Sequence, residues 1–208
     1  MATSIEDILQ RAAPVLPVLV VNHVDDAQPL AEALIAGGIR VVEVTLRTPA
    51  ALDVIRVMKD IPGLTVGAGT VVKPQQIHRV ADAGADFAVS PGLASDIMLA
   101  ASEWSLPLLP GIATPTDAMH ALNFGLRCCK FFPAEAAGGV KMLKALSGPF
   151  PDFTFCPTGG ISLANAPSYL ALPQVLCVGG SWLVPADKLA ARDWAGITEL
   201  AKQASSLG

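Results

Sequence analysis

With 208 residues, of which 52% are hydrophobic and 15% charged, the chain can bury the core of one domain and is too apolar to be disordered. A formal charge of -4 argues against general nucleic-acid binding, which needs a basic face, although one small anion can still be held locally. No apolar run approaches the roughly 18 residues of a membrane span, and the acidic start "MATSIEDILQ" lacks the basic-then-apolar order of a signal peptide, so the expected setting is cytoplasmic with no membrane partner.

In chain order, "MATSIEDILQRA" is predicted as an extra N-terminal helix and "PVLPVLVV" as the first strand. Seven further apolar runs read as strands: "RVVEVTL", "LTVGAGT", "DFAVS", "LPLLPG", "RCCKFF", "FTFCPT" and "QVLCVGG". Helical segments separate them, including "DDAQPLAEALIAG", "TPAALDVIRVMK", "KPQQIHRVADAG" and "TPTDAMHALNFG", several opening on a capping residue or a first-turn proline. A unit of helix, glycine and strand recurs in "ALIAGGIRVVEV", "RVADAGADFAVS" and "ALNFGLRCCKFF", where glycine suits the left-handed position past a helix end. "ITELAKQASSL" is predicted as the last helix.

Eight βα units at a spacing of about twenty residues predict a single-domain (β/α)8 TIM barrel over residues 1–208. An open doubly wound sheet is the alternative, but no G-x-G-x-x-G follows the first strand. In such a barrel, catalytic groups sit at the C-terminal strand ends.

The second strand alternates Glu43, Thr45 and Arg47 with Val42, Val44 and Leu46, so the polar set should face inward and the apolar set the helices. Four strand residues separate Glu43 from Arg47, roughly 13 Å of backbone, which argues against a simple ion pair. Thr70 ends the third strand, and Pro91 shapes the loop after the fourth. "CPTGGIS" and "VGGSW" follow the seventh and eighth strands, where barrels commonly build a phosphate site from glycine N–H groups and a short helix N-terminus. Gly159, Gly160, Gly179, Gly180 and Ser181 are the candidates.

Lys130 stands within "CCKFFPAE", an apolar strand in which an ammonium is costly to desolvate. A strand-end lysine ordinarily snorkels to water. Desolvation by Phe131 and Phe132, and repulsion from Arg47, would instead favour a neutral amine that attacks a carbonyl. Phe132, two residues on, shares its side of the strand. Cys128, Cys129, Cys156 and Cys177 lack CxxC spacing and read as small core residues, and His23, His78 and His120 lack metal-ligand spacing.

The segments "VVEVTLRTP", "VGAGTV", "SPGL", "KFFPAE", "GGVK", "FCPTGGIS" and "VGGSWLVP", in order from about residue 14 to residue 186, resemble the 2-keto-3-deoxy-6-phosphogluconate aldolase and 4-hydroxy-2-oxoglutarate aldolase family. These are class I lyases, and the former act in the Entner-Doudoroff pathway. The resemblance implies that Lys130 is the Schiff-base residue, Glu43 the general acid/base, and Arg47 and Thr70 the holders of the substrate carboxylate. It implies Pro91 and Phe132 as pocket walls, the glycine pairs with Ser181 as the phosphate site, a homotrimer, and neither metal nor cofactor. Related pyruvate lyases acting on 4-hydroxy-2-oxoglutarate or on the galactonate epimer are the nearest alternatives. A non-catalytic phosphosugar-binding barrel would need neither Lys130 nor Glu43.

Overall fold

The computed structural model describes residues 4–207. Helix α1 (Ile5–Ala12) opens on a reciprocal cap: Ser4 Oγ accepts from the Asp7 N–H and the Asp7 carboxylate accepts from the Ser4 N–H, each at 3.1 Å. Ile5, Ile8 and Leu9 share its buried face at helical spacing. Residues 1–3 of the predicted first helix lie outside the described residues.

Strand and helix then alternate as β1 (Val15–Leu19), α2 (Ala27–Ala36), β2 (Val41–Thr45), α3 (Ala51–Met58), β3 (Thr65–Gly69), α4 (Pro74–Asp82), β4 (Phe87–Val89) and α5 (Ser95–Glu103). The second half runs β5 (Leu108–Leu109), β6 (Gly111–Ile112), α6 (Pro115–Asn123), β7 (Cys128–Phe131), α7 (Gly139–Ser147), β8 (Thr154–Pro157), α8 (Ala166–Leu170), β9 (Val178–Gly180), α9 (Ala186–Ala190) and α10 (Trp194–Ser205). Gly38, Gly84 and Gly125, the glycines of the recurring unit, do adopt positive φ, at 93°, 85° and 73°. The last helix begins three residues before the predicted "ITELAKQASSL", because Asp193 caps it by accepting from the Gly196 N–H at 2.9 Å.

All strand pairs are parallel, in the orders β5-β4-β3-β2-β1-β9 and β6-β7-β8. The predicted fifth strand, "LPLLPG", is therefore not one strand but two short pieces. Pro110 lies between them and has no N–H to donate, so the run pairs with β4 before the proline and with β7 after it. Its carbonyl still accepts from the Lys130 N–H at 2.9 Å. The eighth run is likewise shorter than predicted: only Val178–Gly180 is strand, and β8 meets this region through the isolated bridges Phe155↔Val175 and Thr158↔Gly179. The result is a single α/β domain with a curled parallel sheet.

The sheet has two apolar faces. Val42, Val44, Val66, Ala68, Phe131 and Phe155 pack with the helices around the outside. On the other face, Leu16, Val41, Phe87, Val89, Leu109, Cys128, Cys156 and Cys177 form a second cluster with Ile5, Ile8 and Leu9 of α1. The period-2 alternation thus sends Glu43 and Lys130 to the inner side, above that cluster. Among the described residues no helix is long and apolar enough to cross a membrane.

Candidate functional site

Lys130 Nζ donates to Glu43 Oε1 at 3.4 Å, and the two side chains are only 6% and 2% exposed. Those exposures decide the question posed by a lysine in an apolar strand, since the side chain does not snorkel to water. The close approach depends on β3: Gly69, paired with Thr45 in register, leaves unfilled the space where the Glu43 carboxyl lies, and a Cβ there would run into Oε1. Phe132 closes one side, its ring centroid 5.2 Å from Nζ. Phe131 does not share this role. It belongs to the outer cluster, because adjacent strand residues face opposite ways, so only Phe132 stands beside the amine.

Pro91 reaches the same place by a different route. Gly111 pairs with Lys130 in register, and its missing side chain admits the Pro91 carbonyl against β6. Arg47 is exposed and forms no ion pair among the described residues; its Nε donates to Thr70 Oγ1 at 3.2 Å. Arg47 is therefore neither paired with Glu43 nor seen against Lys130. Thr70 itself adopts a left-handed φ of 59°, uncommon for a β-branched residue and costly by about 1–3 kcal/mol.

The two glycine pairs come together through the Thr158↔Gly179 bridge. Gly159 and Gly160 have φ of 101° and 77°. Their carbonyls are turned into the protein: Gly159 O accepts from the Glu135 N–H at 3.1 Å, and Gly160 O accepts from Asn165 Nδ2 at 3.0 Å. Among the described residues, the N–H groups of Gly160, Ile161 and Ser181, and the Ser181 hydroxyl, donate no hydrogen bond. N–H groups left without a protein partner on adjoining turns are suited to an anion. These donors come from turns rather than from the expected short helix N-terminus, since α8 and α9 start only at Ala166 and Ala186. Gly180 faces the other way, where the Trp182 ring packs over it. A cavity of about 570 Å³ opens beside Ser181, lined also by Val18, Val20, Asn22 and Arg192. Val18 pairs with Glu43 in register, so this cavity approaches the buried pair along β1.

Thr158, just before the glycine pair and not among the residues expected from the sequence, stands on the same inner side. It is 6% exposed, and its side chain fills the space beside Gly179 on the inner face. The signal was available: Cys156 is the register partner of Lys130, so the residue two further along must share its side. Below the site, burial pushes the Cys128 thiol up to about 12, and Cys129 is likewise raised by burial. Cys177 Sγ lies 3.6 Å from Cys156 Sγ, and that contact together with burial holds the Cys177 thiol well above its ordinary range. These are inert core groups, as their spacing suggested.

Comparison with known proteins agrees with the geometry. The family model for KDPG and KHG aldolase matches residues 5–200. The KHG/KDPG aldolase of Escherichia coli K12 is 56% identical over 203 residues, 97% of this chain and 95% of that protein. The KDPG aldolase of Legionella pneumophila, solved with pyruvate captured at low pH as a covalent carbinolamine intermediate, is 49% identical with a TM-score of 0.94, over 97% of this chain and 98% of that one. The 2-keto-3-deoxy-6-phosphogluconate aldolase of Zymomonas mobilis ZM4, solved with 3-phosphoglycerate, is 50% identical with a TM-score of 0.94, over 100% of this chain and 98% of that one. A buried lysine–glutamate pair on the inner side of the sheet and near-complete coverage by these relatives lead to one conclusion: the chain belongs to the KDPG and KHG aldolase family.

Proposed function

We propose that the protein is a class I aldolase that cleaves 2-keto-3-deoxy-6-phosphogluconate to pyruvate and D-glyceraldehyde 3-phosphate, with Lys130 as nucleophile and Glu43 as acid/base. The observation that carries this reading is the buried contact between Lys130 Nζ and Glu43 Oε1, a nucleophile and a base within reach of each other in a site screened from water. The carbinolamine described for the Legionella relative and the names of the other relatives support it.

The chemistry follows from the two groups. The Lys130 amine adds to the C2 ketone, and loss of water from the carbinolamine leaves an iminium. Glu43, directly or through a water, takes the C4 hydroxyl proton. The C3–C4 bond then breaks, its electron pair passing into the iminium to give an enamine as the aldehyde departs. Glu43 returns a proton to C3, and water hydrolyses the new iminium to pyruvate and the free amine. The iminium is the electron sink, so the scheme needs no metal or other cofactor.

Arg47 and Thr70 hold the substrate carboxylate, a role supported by Arg47 forming no ion pair among the described residues while its Nε meets Thr70. Pro91 and Phe132 wall the pyruvate half, and the Thr158 hydroxyl faces the reacting carbons. The phosphate binds between the Gly159–Gly160 and Gly179–Gly180–Ser181 turns, supported by their free N–H groups and by the 3-phosphoglycerate of the Zymomonas structure. The fold completes a single (β/α)8 barrel over residues 1–208, in which β5 and β6 count as one strand, the β8–β9 bridges close the circle and α1 caps the floor. The active form is a cytoplasmic homotrimer, for which exposed Leu99, Trp104, Met119 and Leu122 on and beside α5 and α6 offer apolar contact surface.

The name of the Escherichia coli relative favours a second substrate, 4-hydroxy-2-oxoglutarate, cleaved by the same lysine. Borohydride added with pyruvate tests the central claim. The iminium should be reduced to a secondary amine, inactivating the enzyme and placing the three-carbon unit on Lys130, while Lys130→Arg should abolish trapping because guanidinium stays protonated. Label on another lysine would overturn the assignment.

A further inference from the structure

We propose that Glu135 and Tyr169 are positioning residues whose hydrogen bond braces the phosphate turn against the chain leaving Lys130, fixing the distance from the anion cradle to the reacting amine. The inference rests on the proposed reading of the Gly159–Gly160 turn as the phosphate site and asks what holds that turn in place.

The turn touches the strand that carries Lys130 at consecutive points. Ala134 N–H donates to Thr158 O at 2.8 Å and Glu135 N–H to Gly159 O at 3.1 Å. A Cβ on Gly159 would lie 3.2 Å from Pro133 Cα, and one on Gly160 would come within 2.7 Å of Glu135 Cγ, so both glycines admit the 133–135 segment at close range. That segment continues directly from Phe132, whose ring lies beside Nζ. The phosphate turn and the amine are thus joined by about five residues of chain in continuous contact.

Glu135 is the unexpected member of this segment. The residue is exposed beside three N–H groups proposed to bind an anion, where a free carboxylate would repel the ligand. The carboxylate is drawn aside by Tyr169, whose hydroxyl donates to Glu135 Oε1. Tyr169 is fully buried in α8, and the hydroxyl emerges beside Gly139, where a Cβ would approach it to 3.1 Å. Burial, with the bond to Glu135 and its charge, raises the Tyr169 phenol above its ordinary value, so it stays a donor throughout the working range of pH. Asn165, just before α8, holds the other carbonyl of the turn. The turn is therefore gripped from the amine side by Glu135 and from the α8 side by Asn165, with the Tyr169 hydroxyl locking the two sides together. Loss of that hydroxyl would loosen the grip and free a carboxylate to swing toward the phosphate.

The test compares two substrates in steady-state cleavage: the phosphorylated keto acid and 4-hydroxy-2-oxoglutarate, which lacks the phosphate. Tyr169→Phe keeps the buried ring and removes one hydrogen bond and its charge screening, for which a loss of about tenfold in kcat/KM is expected on the phosphorylated substrate, mainly through KM. Cleavage of the unphosphorylated substrate and pyruvate trapping by borohydride should stay within about twofold of the parent. Adding Glu135→Gln to Tyr169→Phe should recover most of the loss, because the swinging charge is gone. Glu135→Leu, which removes the charge together with the bond, should likewise lose far less than Tyr169→Phe on the phosphorylated substrate. Equal losses on both substrates, or no loss in Tyr169→Phe, would overturn the proposal. Failure of the parent enzyme to trap pyruvate would instead overturn the aldolase reading, so the two failures are distinguishable.

Discussion

Lys130 Nζ and Glu43 Oε1 lie 3.4 Å apart although 87 residues separate them in the chain. The contact exists because β2 and β7 both turn alternate residues inward and because the neighbouring strand carries glycine where a side chain would block it. Glu43→Gln should leave the lysine able to form the pyruvate adduct while slowing exchange of the pyruvate methyl protons with solvent by about 10²- to 10⁴-fold, since an amide cannot carry the proton. Proton exchange followed by NMR measures this directly, and unimpaired exchange would make Glu43 a structural residue.

Gly69→Ala tests the same contact from the other strand. The new methyl would overlap the Glu43 carboxyl and force it aside, with an overpacking cost of about 1–3 kcal/mol. Proton exchange should fall as in Glu43→Gln, and the melting temperature should fall as well. A variant with full exchange activity would show that the carboxyl has freedom to move.

Thr70 holds a left-handed backbone that asparagine adopts more readily. Thr70→Asn should therefore raise stability by about 1 kcal/mol in denaturant titration while weakening pyruvate binding, because the hydroxyl that meets Arg47 Nε is lost. A variant that gains nothing in stability would mean that the turn, rather than the residue type, sets the strain.

Ser181→Leu places a branched apolar side chain beside the N–H groups proposed to bind the phosphate. Cleavage of the phosphorylated substrate should fall by at least about tenfold, with a far smaller change for 4-hydroxy-2-oxoglutarate. Matching losses on both would indicate a collapsed mouth and count against the phosphate assignment.

The cysteines predict a pH limit. Burial raises the Cys128 thiol from 9.0 to about 12, so the folded protein favours the protonated form. The corresponding stability is complete below pH 9 and is lost as pH rises through the range from 9 to about 12, where the unfolded chain ionises first. Thermal midpoints should decline across that window, and Cys128→Ala should flatten the decline. Alkylation at pH 8 should be slow on the native protein and rapid once it is unfolded.

The candidate site residues stand out in the sequence because each lies in or just after a strand and is flagged by a local pattern. Polar residues alternate with apolar ones in "VVEVTLRT", a lysine interrupts an apolar run, and paired glycines follow two strands. Each pattern depends on neighbours within about five residues, and strand period converts it into a direction. The break at Pro110 was also present in the sequence, but its effect on pairing depends on which strands flank it.

What tertiary structure alone decided were relationships between distant segments. Sequence spacing argues against a Glu43–Arg47 pair but could not find the Glu43–Lys130 contact, because the register linking β2 to β7 runs through other strands. Phe131 and Phe132 look equivalent beside a lysine, and only the sheet's two buried faces distinguish the ring that packs outside from the ring beside the amine. Glu135 and Tyr169 are 34 residues apart and carry no local mark of a bond between them. A chain encodes direction locally through backbone period, whereas distance between side chains is set only when strands and turns pack, since each gap depends on what the neighbouring strand leaves unfilled.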